Sequence, residues 1–188
     1  MQVVSVNVGR ASSVEISGKR VLTAIGKHAV QGPVEVGPLG LAGDEQADPS
    51  VHGGLSKAIY AYPSEHFPFW QTVRAQARAA DGSSPIRPGL LGENLTLAGL
   101  TEDRMWIGDR LHLPNCVLAV SEPRFPCFKL AAAMGFAQAV KLMQQSGYCG
   151  TYLGVIEPGA VAAGDPIRLE PGPRELPLRD LFKARLRR

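Results

Sequence analysis

The 188-residue chain has few aromatic side chains, three cysteines and no long apolar run. Its longest stretch without Asp, Glu, Lys or Arg, residues 142–156, is interrupted by polar residues and three glycines, so no membrane span is predicted. The first ten residues lack the basic start and apolar block of a signal peptide, which favours a cytoplasmic protein. Three cysteines cannot all pair within one chain and show no zinc-type spacing, so free thiols are expected.

The motifs of several enzyme classes are also missing. The chain contains no G-x-S-x-G elbow, no phosphate loop ending in G-K-[ST] and no H-E-x-x-H pair. Its net charge of +3 is accounted for by residues 174–188, which hold six basic and two acidic side chains. A short basic end is typical of a solvated terminus and offers few phosphate contacts, so nucleic acid is not an expected partner.

Glycine and proline are plentiful, with 21 and 15 residues, and they separate many short apolar segments. This pattern predicts a mainly β, barrel-like domain with a few inserted helices. Helical spacing begins between residues 63 and 68 and runs to about 80, and it returns from Lys129 to Gln145. We expect one domain over residues 1–172, followed by a basic tail over 173–188 with room for one helix. Strands are predicted at Val3–Val8, Val14–Ile16, Val21–Ile25, Ala58–Tyr62, Asn94–Leu97, Arg104–Leu113, Val117–Ser121, Thr151–Ile156 and Pro166–Leu169.

Three polar clusters fall where this apolar patterning stops. The first is the glycine-rich loop Gly40–Asp48, which leads to His52, Gly53 and Gly54. Glycines let the backbone approach a ligand and present N–H groups to an anion. The second is Glu93-Asn94, at the mouth of a predicted strand. For both clusters, ordinary turns remain the alternative interpretation.

The third cluster, Ser121–Lys129, combines a carboxylate, a guanidinium and a thiol after a strand. Cys127 follows two prolines, and the nearby cations Arg124 and Lys129 favour its thiolate, the form that attacks electrophiles and binds metals. An arginine in such a group suits an anionic oxygen. A merely buried cysteine is the alternative, and a Cys127–His52 hydrolase has no further support in the sequence.

Together these segments resemble the MOSC domain, named for the C-terminal domain of molybdenum cofactor sulfurase. The resemblance is closest to the stand-alone bacterial branch that includes the hydroxylaminopurine-resistance proteins, and it covers roughly residues 1–170. The matching segments, in order, are Val6–Gly9, Thr23–Lys27, Gly40–Asp48, Val51–Gly54, Lys57–His66, Gly92–Leu95, Gly99–Glu102, Ile107–Asp109, Ser121–Leu130 and Gly147–Gly159.

The resemblance implies a β-barrel-like fold whose cleft binds molybdenum cofactor (molybdopterin), with Cys127 as the protein ligand of molybdenum. A thiolate suits a metal that already has sulfur ligands. From residue chemistry, Asp44 is expected to orient a water or His52 near the metal, which makes these two candidate catalytic residues beside Cys127. The residues expected to bind the cofactor are Lys27, His52, Gly53, Gly54, Glu93, Asn94, Arg124 and Cys127.

Relatives of this type are associated with the reduction of N-hydroxylated compounds, including purines and amidoximes. The resemblance therefore implies a small-molecule substrate and an electron-donor protein such as a flavin or iron–sulfur reductase. Two alternatives stay open: a sulfur carrier that uses a Cys127 persulfide, and a binding domain in which Cys127 is simply buried. Proteins of this bacterial type carry an additional C-terminal helical region, so the resemblance implies that the shorter end here could go with another substrate or partner. A homodimer is left open as well.

Overall fold

The computed structural model describes residues 1–47, 53–79 and 81–187. The strands in these ranges are β1 (Gln2–Val8), β2 (Ser12–Ile16), β3 (Lys19–Thr23), β4 (His28–Ala29), β5 (Val34–Gly37), β6 (Gly40–Leu41), β7 (Ile59–Pro63), β8 (Leu95–Ala98), β9 (Arg110–His112), β10 (Val117–Pro123), β11 (Thr151–Glu157), β12 (Gly159–Val161) and β13 (Arg168–Glu170). The α-helices are α1 (Phe67–Gln76), α2 (Phe128–Met134), α3 (Ala139–Ser146) and α4 (Leu178–Leu186).

Eight strands form one sheet in the order β13-β9-β10-β11-β7-β8-β1-β4, in which every pair is antiparallel except β7 with β8. The sheet curls until its two sides meet near the N-terminus. Gln2 of β1 bridges Pro166 just before β13, and the Val3 N–H donates to the Asp165 carbonyl at 2.9 Å. This curled sheet confirms the predicted mainly β class.

Alternate side chains of β7 belong to two different apolar clusters. Ile59 and Ala61 join a cluster on one face, together with three valines of β1 and the leucines of β8. Tyr60 and Tyr62 point to the opposite face, where the side chains of all four helices meet them. Alternate residues of a strand point to opposite faces, so β7 is buried on both sides.

Two smaller sheets lie outside the large one. The sheet β12-β5-β6 lies beside the loop that precedes the undescribed residues 48–52. The hairpin β2–β3 turns at Ser17 and Gly18, both with positive φ, as a type I′ two-residue turn requires. Residues 23–27 after this hairpin reach the cleft described below.

The second predicted helix is wrong as a single element. Instead of one helix from Lys129 to Gln145, the chain forms α2 and α3. Gly135 ends α2 with a φ of 75°, in the left-handed region that favours glycine. Both helices still direct apolar residues into one cluster, with Met134 from α2 and Met143 from α3, so the apolar stripe continues across the break.

The predicted strand from Arg104 to Leu113 is correct only in its second half. Glu102–Arg104 is a 3-10 turn, and the ladder begins at Arg110 in β9. The chain turns at Gly108, whose φ is 88°, and the Asp109 carboxylate accepts the Trp106 N–H at 2.9 Å. The short strands β4, β5, β6 and β12 were not predicted from the apolar pattern.

The basic end of the chain packs against the body of the protein. Leu178 and Phe182 of α4 are buried, whereas Lys183, Arg185 and Arg187 are exposed. The boundary at residue 172 stays a prediction. None of the helices in the described ranges combines the length and apolar character that crossing a bilayer requires.

Candidate functional site

A cleft opens where β7, β11 and the end of β10 face the loops after β3 and β6. Its empty volume is about 630 Å³, counted to its open mouth. Four cationic and two carboxylate side chains line it, which gives its wall a surplus of positive charge. The lining residues are Thr23, Ala24, Ile25, Lys27, Asp44, Glu45, Gln46, Ala47, Lys57, Tyr60, Leu91, Gly92, Asn94, Arg124, Cys127, Lys129 and Tyr152.

Cys127 reaches this cleft from the segment between β10 and α2. It is half-buried and has an extended backbone, with Pro126 before it and the helix after it. Cys116 and Cys149 are buried elsewhere, and all three cysteines are free thiols. Burial raises the pKa of Cys116 to about 11 and that of Cys149 well above its ordinary value. Cys127 is therefore the thiol that the fold presents to a ligand.

Arg124 lies in the same wall and is 95% buried, with an exposed fraction of 5%. Its guanidinium carbon lies 5.4 Å from the ring centre of Tyr60, and its side chain hydrogen-bonds to that of Tyr152. Burial opposes its charge, but interactions with Tyr60, Tyr152 and Cys127 outweigh burial and raise its pKa. Among the residues that the structure describes, no carboxylate pairs with this guanidinium within 4.0 Å. An anion in the cleft would supply the missing counter-charge.

Lys27 and Asp44 form a buried ion pair at the cleft wall, with side chains 7% and 8% exposed. Asp44 also accepts the Gly9 N–H at 2.8 Å and the Asn94 side-chain amide at 2.8 Å. Burial lowers the pKa of Lys27, although its contact with Asp44 acts in the opposite direction. The sequence-predicted residues Lys27, Asp44 and Asn94 are thus brought together.

Asn94 uses its whole amide within the protein. Its Nδ2 donates to Asp44 and, at 3.3 Å, to the Asn7 carbonyl, while its Oδ1 accepts the Tyr60 N–H at 3.0 Å. An amide has two donor hydrogens, so both are already engaged. Asn94 lines the cleft, but these bonds give it the task of fixing Asp44 and Tyr60.

Glu93 lies behind the wall and is not one of the lining residues. It is fully buried and accepts hydrogen bonds from the Gly89 N–H at 2.6 Å, the Leu91 N–H at 3.1 Å and the Thr96 hydroxyl at 3.0 Å. Burial raises its pKa from 4.5 to about 7, against these hydrogen bonds. Its contacts shape the loop that carries Leu91 into the cleft.

The remaining sequence-predicted residues are His52, Gly53 and Gly54. His52 falls outside the described residues. Gly53 and Gly54 are half-buried and do not line the cleft. The Gly54 N–H donates to the Gln46 side chain at 3.3 Å, which ties this segment to the loop after β6.

The lining also includes residues that the sequence did not single out as site residues, among them Lys57, Tyr60 and Tyr152, while Lys129 was noted only as a cation near Cys127. The Lys57 ammonium lies 5.9 Å from the Tyr152 ring centre, and the two tyrosine rings are 5.5 Å apart. Burial raises the pKa of both tyrosines, so their hydroxyls keep their protons at neutral pH. Sequence signals for the two lysines exist. Lys57 directly precedes the predicted strand Ala58–Tyr62, and Lys129 lies two residues after Cys127.

The arrangement suits a ligand that is anionic and contains a soft metal. In residues 1–47, 53–79 and 81–187, no three His, Cys, Asp or Glu side chains gather as a metal cage would require. A metal that arrives with ligands of its own could take one further sulfur from Cys127. The cations on the wall would face the negative groups of the same ligand.

The fold agrees with the comparisons with known proteins. The model of the MOSC domain matches residues 48–168, and the chain belongs to the MOSC domain family. The uncharacterized protein YflK of Bacillus subtilis is 41% identical over 167 residues, or 89% of this chain and 72% of YflK. Protein YiiM of Escherichia coli is 38% identical over 147 residues, which are 78% of this chain and 63% of YiiM.

Solved structures support the same relationship. The crystal structure of YiiM from Geobacillus stearothermophilus matches with a TM-score of 0.76 and 35% identity, over 96% of this chain and 81% of that one.

A further sequence relative is a protein of Gibberella moniliformis named "Reductase", which is 35% identical over 87% of this chain; the chain spans 28% of that longer protein. The MOSC family is associated with binding of molybdenum cofactor.

Proposed function

We propose that the cleft binds molybdenum cofactor, with Cys127 as the protein ligand of molybdenum. The observation that supports this most is that a half-buried thiol and a 95% buried arginine without a carboxylate partner among the described residues line one cleft. Burying an arginine without a counter-charge is costly, so a site that does so is suited to an anionic ligand.

The residues present fit the chemistry of the cofactor. Its dithiolene makes molybdenum a sulfur-bound centre, which a thiolate from Cys127 complements. Its phosphate suits the positive wall, where Arg124, Lys57 and Lys129 line the same cleft as Cys127. Binding of the phosphate by His52, Gly53 and Gly54 stays a prediction, because Gly53 and Gly54 do not line the cleft and the Gly54 N–H donates to Gln46.

Polar residues in the wall and Glu93 behind it would fix the shape of the cleft and supply a proton to it. Asp44 holds the Lys27 ammonium in place, and we assign this ammonium to give a proton into the cleft. Asn94 fixes Asp44 and the β7 backbone, and Glu93 fixes the loop 89–92. Direct binding of the cofactor by Glu93 and Asn94, which residue chemistry predicted, stays a prediction beside these roles.

The proposed reaction is the reduction of an N-hydroxylated compound to the amine. Two electrons and two protons break the N–O bond, the nitrogen takes one hydrogen, and the oxygen leaves as water. Bound molybdenum would supply the two-electron exchange, and an electron-donor protein would replace those electrons. The likeness to a protein named "Reductase" supports redox chemistry over simple binding.

The test is the metal and pterin content of protein made in a host that synthesises the cofactor. Wild-type protein is expected to carry near-equal molybdenum and pterin, and Cys127→Ser is expected to lose the metal. Cys116→Ala is the matched control, because Cys116 lies outside the cleft and should leave both contents unchanged. Loaded wild-type protein should then form the amine from hydroxylaminopurine with a chemical reductant.

Two results would contradict the proposal. Equal metal content in wild type and Cys127→Ser would remove Cys127 from the metal site. No pterin in any variant, together with a persulfide mass increase on Cys127, would favour the sulfur-carrier alternative.

A further inference from the structure

The segment that carries Arg124 and Cys127 has little regular structure of its own. It runs from the end of β10 at Pro123 to the start of α2 at Phe128. Pro123 and Pro126 have no N–H to donate, so backbone hydrogen bonds constrain this segment weakly. Pairing of Pro123 with Thr151 and a hydrogen bond from the Leu130 N–H to the Cys127 carbonyl, at 2.9 Å, hold the two ends of the segment. Side-chain contacts therefore position the residues between these ends.

The C-terminal helix α4 supplies such contacts. The ring of Phe125 stacks on that of Phe182, with ring centres 5.2 Å apart and an angle of 23° between the planes. Phe182 is 1% exposed, so its own position is fixed by the surrounding cluster. Phe125 lies between Arg124 and Pro126 in the chain, so a fixed Phe125 ring restrains the backbone of both neighbours.

Arg185, one turn nearer the end of α4, contacts Phe125 in this segment and Glu122 in the adjoining strand β10. Its guanidinium carbon lies 5.5 Å from the ring centre of Phe125, and its Nη1 lies 3.2 Å from Glu122 Oε2. Glu122 in turn lies 3.4 Å from the Ser56 hydroxyl and 3.9 Å from the Lys57 ammonium on the cleft wall. Arg185 thus contacts the chain on both sides of Arg124.

We propose that Arg185 is a positioning residue of the site: it anchors residues 122–125 so that Arg124 and Cys127 face the cleft. The importance of that orientation rests on the proposed function, but the anchoring itself is a property of the protein without cofactor. The C-terminal helix then supports the site through Phe125 and Glu122, although none of its residues lines the cleft.

The test measures how fast iodoacetamide modifies Cys127 in full-length protein without cofactor, followed by peptide mass analysis. This reagent is uncharged, so a lost positive charge does not change its local concentration. Arg185→Ala removes a cation–π contact and an ion pair, and we expect Cys127 to react about three- to fivefold faster. Arg185→Lys keeps a charge for Glu122 and should fall between that variant and wild type.

The matched control is Arg187→Ala, which removes an exposed charge from the same helix and should react at the wild-type rate. Thermal midpoints of all variants should agree within about 2 °C, as for exposed substitutions in general. The proposal is overturned if Arg185→Ala reacts at the wild-type rate, or if Arg187→Ala accelerates the reaction equally. Molybdenum content plays no part in this assay, so its outcome is separate from that of the proposed function.

Discussion

The buried carboxyl of Glu93 makes folding stability depend on pH in a defined direction. Burial raises its pKa from 4.5 to about 7 in the folded protein. The folded state therefore binds more protons than the unfolded state between these values. The contribution of Glu93 is fully present below pH 4.5 and is lost as the pH rises through about 7. A shift of this size corresponds to a loss of about 3 kcal/mol.

Glu93→Gln tests this prediction because an amide cannot titrate in this range. The amide nitrogen would meet one of the N–H or O–H donors from Gly89, Leu91 and Thr96, which costs about 1–3 kcal/mol at low pH. We expect the wild type to lose stability from about pH 5 to about pH 8 and the variant to lose clearly less. Urea unfolding at each pH gives both profiles.

The difference between the two pH profiles carries the result, since all other titrating groups are common to both proteins. Glu35→Gln is the control, because Glu35 is an exposed carboxyl and its removal should leave the wild-type profile in place. Parallel profiles for wild type and Glu93→Gln would refute the assignment of a raised pKa to Glu93.

Three further predictions concern packing and reactivity. Phe182→Ala should lower the free energy of unfolding by about 3–5 kcal/mol, measured by urea unfolding, because a fully buried ring leaves a cavity; a cost below 1 kcal/mol would contradict the burial of α4. Gly89→Ala should destabilise by about 2 kcal/mol, since φ is 84° and a Cβ would lie 2.7 Å from the Lys27 carbonyl oxygen; a wild-type thermal midpoint would argue against this close approach. Alkylation of folded protein near neutral pH should modify Cys127 before Cys116 and Cys149, which are buried; equal rates by peptide mass analysis would contradict that burial.

Local sequence patterns predicted most of the large sheet. The alternation of Ile59, Tyr60, Ala61 and Tyr62 predicts a strand, and the structure places one there with its two faces in two clusters. Such patterns depend on neighbours one to four residues away, which the sequence displays directly. The prediction of one helix from Lys129 to Gln145 was wrong because the apolar spacing continues across Gly135 and so does not show the break there.

The sequence by itself determined the mainly β class, the free thiols and the cluster around Cys127. These follow from composition, strand period and residues that are adjacent in the chain. Tertiary structure decided that Lys57 and Tyr152 line the same cleft as Cys127 and that α4 reaches Phe125. These contacts join residues far apart in sequence, and they exist only because the curled sheet brings β7, β10 and β11 side by side with helices packed on one face.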